Sequence, residues 1–276
     1  MASILVGIDY GEASVSLLKA VSSLRKRLRA TLHLYHAYQI PRGMPFLSAH
    51  VIEEMEAKSQ EEAQARLKAF LSQHLPKAER RGIRLIVQRE FVTEGLHQHL
   101  QTERYDILGI GAYGVENDEE GIGFHARHFI RNAPVPVLIT YPRTSISWKH
   151  MLLVYDPAFT MGKRAKLRRL LRRLQVSFTG LTVVPVKGVE KQHQKLQKLV
   201  SPASYEPFAW QGAGLIQVIL GAAAYVGADS IGVLMEPEAL IQGLRATPVE
   251  KLQDSPGWLF FPRDLQEEAE VPASEE

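Results

Sequence analysis

The sequence contains no cysteine, which excludes disulfides and thiolate metal sites and fits a reducing compartment. A cytoplasmic protein is therefore expected. No apolar run reaches the ~20 residues that a membrane helix needs; the longest, Leu215 to Val226, reads as a buried helix. The start, Met1-Ala2-Ser3-Ile4-Leu5-Val6, lacks a basic segment and enters a strand pattern directly, so no signal peptide is expected. Gly-x-Ser-x-Gly, Gly-Lys-Ser/Thr and His-Glu-x-x-His are all missing, as are loops of the Ser-Gly-Gly or His-x-Gly-His kind. Binding is therefore expected rather than catalysis, with a slow ATPase left open.

What is present suits one large or two medium globular domains: 276 residues, 45% of them hydrophobic. Net charge is +3, but the last twelve residues hold five glutamates and no Lys or Arg, so the remainder carries +8. The tail 265–276 is expected to be acidic and disordered.

The chain reads as two copies of one pattern. Ile4-Leu5-Val6-Gly7-Ile8-Asp9 returns as Met151-Leu152-Leu153-Val154-Tyr155-Asp156, each followed by a helical stretch. Tyr105-Asp106-Ile107-Leu108-Gly109-Ile110 is echoed by Ala228-Asp229-Ser230-Ile231-Gly232-Val233, and Ala133-Pro134-Val135-Pro136-Val137 by Ser255-Pro256-Gly257-Trp258-Leu259. Domains are placed at 1–143 and 149–264, joined by a short polar segment near Pro142 to Trp148. Copy one should hold strands near Ile4–Ile8, Thr31–Tyr38, Arg84–Phe91, Ile107–Ile110 and Val135–Thr140. Copy two should hold them near Met151–Tyr155, Leu181–Val186, Tyr205–Trp210, Ser230–Leu234 and Trp258–Phe261. Helices between them, such as Met55 to Leu71, make this an α/β fold with parallel sheets covered on both faces.

One stretch carries a chemical suggestion. Ile107-Leu108-Gly109-Ile110 empties into Gly111-Ala112-Tyr113-Gly114, and Gly123 precedes a further helix. A buried strand, a glycine-bearing loop and a helix start form an anion site when backbone N–H groups converge on a phosphate. The same glycines also suit a tight turn with no ligand.

These residues resemble the universal stress protein family. Its usual pattern is Gly-x2-Gly-x9-Gly-Ser/Thr after the fourth strand, then Ala-Pro-Cys/Val-Pro-Val-Leu. Gly111-x2-Gly114 matches the opening and Ala133-Pro134-Val135-Pro136-Val137-Leu138 the close. Asp9 resembles the aspartate after strand one that lies near the adenine in ATP-binding members. The resemblance covers copy one throughout and is weak in copy two, where it rests on topology, Asp156 and the Ser255-Pro256 strand. It implies tandem doubly wound, Rossmann-like domains whose fifth strands pair as an intramolecular pseudo-dimer. It also implies ATP or ADP, with Mg²⁺, held by Asp9, Gly111, Gly114, Gly123, His125 and Arg127, and a regulatory role in stress. Copy two, which has Met235-Glu236-Pro237 after its fourth strand, is expected not to bind.

Three departures stand against that pocket. Gly123 follows after eight residues, not nine; Phe124 replaces the hydroxyl residue and would crowd the pocket; and Glu116-Asn117-Asp118-Glu119-Glu120 sets carboxylates near a triphosphate. Each such pair at ~5 Å costs a few kcal/mol at an effective dielectric of about 20. In favour are His125, Arg127 and Arg131 at the helix start, and Gly121 and Gly123, which permit close backbone approach.

Other signals have ordinary readings as well. Seven basic residues lie between Gly162 and Arg173, while Leu167, Leu170, Leu171 and Leu174 would face a core. A solvated face is the plainer reading, because no aromatics interleave for base stacking, which makes nucleic acid an improbable partner. The alternative function is a nucleotide-independent module that presents this helix to a protein or other anionic partner, with a homodimer also open. His97 and His99 would point to different helix faces; His125 and His128 share one but lack a third ligand, so no metal site is expected.

Overall fold

The computed structural model describes residues 2–39, 49–113, 121–156, 164–182, 208–209 and 214–262. Gly114, the acidic loop residues 116–120, Lys163 and the tail 265–276 lie outside these residues.

The first half runs β1 (Ser3–Gly7), α1 (Glu12–Leu28), β2 (Thr31–Tyr38), α2 (Ala49–His74), β3 (Ile83–Arg89), α3 (Val92–Thr102), β4 (Ile107–Gly111), α4 (Phe124–Asn132) and β5 (Val137–Thr140). The second runs β6 (His150–Tyr155), α5 (Arg164–Leu174), β7 (Ser177–Thr182), β8 (Phe208–Ala209), α6 (Leu215–Val226), β9 (Ser230–Leu234), α7 (Pro237–Arg245), α8 (Val249–Leu252) and β10 (Gly257–Phe260).

All ten strands form one sheet in the order β3-β2-β1-β4-β5-β10-β9-β6-β7-β8. The second half therefore repeats the first as its mirror order about the β5–β10 seam. Every pairing is parallel except that seam, where Trp258 faces Ile139, Leu259 faces Leu138 and Phe260 faces Val137. The fold is two tandem doubly wound domains packed as a pseudo-dimer inside one chain. The antiparallel junction turns two apolar edges into interior strands and removes an aggregation hazard.

Central strands are apolar on both faces because helices cover both. In β1, Ile4 and Val6 enter the core layer beneath α1, α2 and α5, whereas Leu5 enters the layer with α3, α4, α6 and α7. That alternation is the period-two geometry of a strand. The leucines of α5 behave as its spacing implies: Leu167, Leu170, Leu171 and Leu174 are all buried.

The repeated aspartates have matching roles. Asp106 Oδ2 accepts the Ser3 N–H at 2.9 Å, and Asp229 Oδ2 accepts the Lys149 N–H at 3.0 Å. Each thereby fixes the start of the strand beside its own, β1 or β6. Each helix at the seam also receives an arginine from the opposite half. Arg173 donates to the Leu28 carbonyl (3.1 Å) at the end of α1, and Arg27 donates to the Gln175 carbonyl (3.1 Å) beyond α5. Cations at helix C-termini meet the negative end of the macrodipole, so part of the basic character of α5 is structural.

Several boundaries differ from the sequence reading. β7 starts at Ser177, not near Leu181; Gln175, left-handed at φ 51, turns the chain out of α5 almost directly into it. β3 ends at Arg89 and β5 begins at Val137, because Pro134 and Pro136 precede the ladder and cannot donate to it. The segment between the halves is less polar in place than in composition. Trp148 is wholly buried, its indole N–H donating to the Ala20 carbonyl at 3.1 Å, and Thr144 Oγ1 donates to the Ser255 carbonyl at 3.0 Å.

Candidate functional site

In the first half the strand order reverses between β1 and β4, and a crevice opens beyond their carboxyl ends. This is where open α/β sheets place ligands. The cavity there measures about 440 Å³ and includes Asp9, Gly111, Gly123 and His125 in its walls, within the usual size range of small-molecule sites. Four of the six sequence-chosen residues thus come together. Arg127 does not line the cavity, and Gly114 lies outside the described residues.

Asp9 closes β1 and shapes the start of α1. Its Oδ1 accepts the Gly11 N–H at 2.9 Å and the Ser14 hydroxyl at 2.6 Å, while Ser14 Oγ accepts the Asp9 N–H at 3.2 Å. This Asx-type turn engages one of the two carboxylate oxygens. Gly111, at the end of β4, lets the sheet approach α1: an added Cβ would stand 3.1 Å from Ala13 Cβ.

The opposite wall is the start of α4. Gly123 is its N-cap residue, with no side-chain cap, and its own N–H bonds to the Ala112 carbonyl at 2.7 Å. That bond closes the loop between β4 and α4. Phe124 does not crowd the cavity as the sequence suggested. It is 61% exposed and forms part of the rim, its ring edge-on to His125 (76°) and nearly parallel to His128 (29°). With the ring this exposed, the missing hydroxyl matters more than the added ring.

Gly121 has a different role from the expected ligand approach. A Cβ there would lie 2.2 Å from the Leu244 carbonyl oxygen and 2.6 Å from that of Thr247, both in the second half. Its own carbonyl accepts the Tyr141 hydroxyl at 2.8 Å. Gly121→Ala is therefore expected to destabilise the chain by about 1–3 kcal/mol, since two backbone oxygens cannot step aside. Denaturant unfolding checks this; an unchanged midpoint would contradict it. Arg131 is likewise taken into the joint between halves, bidentate to Glu238 at 2.8 and 2.9 Å.

Beside the cavity, α3 and α4 frame a groove of about 840 Å³ that shares Val92, Phe124 and His125 with it. Here His97 and His128, which sequence spacing assigned to separate pairs, meet Nε2 to Nε2 at 2.7 Å. At that distance one ring donates and the other accepts. His99 points elsewhere, buried with Nε2 at 3.1 Å from Gln88 Oε1, and His125 Nδ1 lies 2.9 Å from Thr93 Oγ1. Among the described residues no group of three or more His, Asp or Glu is arranged to hold a metal.

Sequence reasoning missed Tyr35, which lines the cavity, and the His33–Tyr105–Glu103 chain behind it, with contacts of 2.9 and 3.0 Å. The only available signal was a run of alternating aromatic and histidine positions in the second strand, and that reads equally well as core.

Burial is the leading cause that lowers the pKa of His33, His36 and His128; His97, His125 and Arg131 add to the effect at His128. A histidine that prefers to be neutral in the fold destabilises it once the unfolded chain gains protons. Stability is thus expected to hold above pH ~6.5, the ordinary histidine value, and to fall as pH drops below it. Thermal midpoints at pH 7.5 and 5.5 read this directly; an equal or higher midpoint at pH 5.5 would contradict it.

A crevice at the switch point, in a doubly wound sheet that is doubled by its own second half, defines a tandem α/β protein with a cavity of small-molecule size. Residues 1–140 match the model of the Universal stress protein family, just over half of the 276-residue chain. The chain belongs to that family. It is similar in structure to a universal stress protein from Archaeoglobus fulgidus DSM 4304, with a TM-score of 0.62 and 13% identity over 93% of this chain and 94% of that one. A functionally unknown protein from Pseudomonas aeruginosa PAO1 is similar at a TM-score of 0.56 and 14% identity, covering 96% of this chain and 94% of that one. These likenesses show the fold. No curated protein matches the chain, and no described helix is long and apolar enough to cross a membrane.

Proposed function

We propose that the chain is a stress-response regulator that binds an adenine nucleotide in its first half and acts by binding rather than by turnover. One observation carries this reading: the switch-point cavity sets a carboxylate, Asp9, against the N-terminal turn of α4. A carboxylate accepts from an exocyclic amine, and a helix start attracts a phosphate. Gly7, Gly111 and Gly123 keep the walls thin, while Ile8, Val92 and Leu96 offer the apolar surface that a base requires. The second half serves as a built-in dimer partner, held through the seam, Gly121 and Arg131.

Equilibrium dialysis of the full chain against labelled AMP, ADP and ATP, with Mg²⁺, tests the proposal. One nucleotide retained per chain, without phosphate release, is the expected result. No retention of any of the three at millimolar concentration would move the reading to a nucleotide-independent interaction module.

A further inference from the structure

Two candidate phosphate donors of α4 and its N-cap, among the described residues, are engaged elsewhere. The Gly123 N–H bonds to the Ala112 carbonyl at 2.7 Å. The Arg131 guanidinium is tied to Glu238 through two bonds at 2.8 and 2.9 Å. Position 124, which opens α4, carries a ring with no hydroxyl. Among the described residues, what remains for an anion is the first turn of α4, where Phe124, His125 and Ala126 line the cavity. The amides there precede the first intrahelical bond, from the Arg127 N–H to the Gly123 carbonyl at 3.1 Å. A helix start of this kind suits one phosphate; a second and a third would need cations.

The cavity walls also hold two buried hydroxyls without a partner among the described residues, those of Tyr113 and Tyr35. Tyr35 lines the cavity and is 1% exposed, and its hydroxyl is buried with no hydrogen bond among the described residues. That hydroxyl lies under the first turns of α3, where a Cβ on Gly95 would stand 1.8 Å from it. The α3 residues on either side of Gly95 in that turn, Val92 and Leu96, also line the cavity. Burial, reinforced by the Glu90 carboxylate, pushes the Tyr35 pKa up to about 12, so the group stays an intact donor. Native folds rarely leave such a group unsatisfied, and a ligand is one way to satisfy it.

We propose that the cavity selects a nucleoside bearing a single phosphate over di- and triphosphates, with the Tyr35 hydroxyl as a specificity-determining partner for the polar edge of the base or sugar. This inference rests on the nucleotide reading above. The phosphate meets the α4 start, and the base and sugar lie between Asp9 and Tyr35.

Calorimetric titration of the full chain with AMP, ADP and ATP in one Mg²⁺ buffer tests the selection, and AMP titration of Tyr35→Phe tests the residue, with thermal midpoints recorded for both proteins. AMP is expected to bind at least ~10-fold more tightly than ATP, a modest energetic difference. Tyr35→Phe is expected to weaken AMP by roughly 10-fold with its midpoint held or raised, because the deleted hydroxyl has no partner among the described residues. ATP binding as tightly as AMP, or more so, overturns the selection. Unchanged AMP affinity in Tyr35→Phe overturns the role of Tyr35. Failure of all three nucleotides to bind overturns the nucleotide reading together with this inference, so the two failures are told apart.

Discussion

Replacing Trp258 by alanine is expected to cost about 3–5 kcal/mol of stability, the usual penalty for emptying a large buried aromatic site. Trp258 lies in β10 at the seam, opposite Ile139 of β5, and has no exposed surface. Its ring stacks on Phe260 at 16°, and its indole N–H reaches Ser255 Oγ at 3.4 Å. Collapse around the void is hindered because both halves press on it through an uninterrupted sheet. Denaturant unfolding monitored by far-ultraviolet circular dichroism reads the loss. A change below ~1 kcal/mol would mean that the seam contributes far less than its burial implies.

Asp9→Asn is expected to reduce nucleotide affinity about 10- to 100-fold with little change in stability. The amide oxygen of asparagine can still accept from the Gly11 N–H and the Ser14 hydroxyl, which Asp9 Oδ1 holds at 2.9 and 2.6 Å. The α1 turn therefore survives. What changes is the second position, where a charged acceptor becomes an NH₂ donor facing the donor of the base. Hydrogen bonds to charged groups contribute ~1.5–3 kcal/mol, which sets the expected range. Calorimetry measures it, with the thermal midpoint recorded alongside. Wild-type affinity in Asp9→Asn would place the base elsewhere in the cavity.

The fold could be read from the sequence because it is written twice with the same landmarks. Ser230–Leu234 was placed to the residue, and Thr31–Tyr38 likewise, since a continuous or alternating apolar run bounded by turns fixes a strand well. The seam followed from the family resemblance, which implies that the fifth strands pair, and both of those edges are apolar. Strand ends were less clear: residues 177–180 contribute to β7 through Phe178 alone among large apolar groups, so the run looked like loop.

The site was half visible. Asp9, Gly111, Gly123 and His125 converge because strand ends and a helix start bring them together, and that order is encoded locally. The functions of Gly121 and Arg131 were not, because their partners, Leu244, Thr247 and Glu238, lie more than a hundred positions away. Nothing in a single strand of text links residues across the pseudo-dimer. The exposure of Phe124 was not legible either, because it depends on how α4 packs beside the cavity. Tyr35 was overlooked because a buried tyrosine in a strand ordinarily belongs to the core.

The account depends above all on the switch-point cavity being a nucleotide site. Mass spectrometry of small molecules released by denaturing the protein, purified without added nucleotide and then incubated with an equimolar mixture of AMP, ADP and ATP plus Mg²⁺, tests this most directly. The account predicts close to one adenine nucleotide per chain, with AMP in excess. Protein that releases none after that incubation would contradict it.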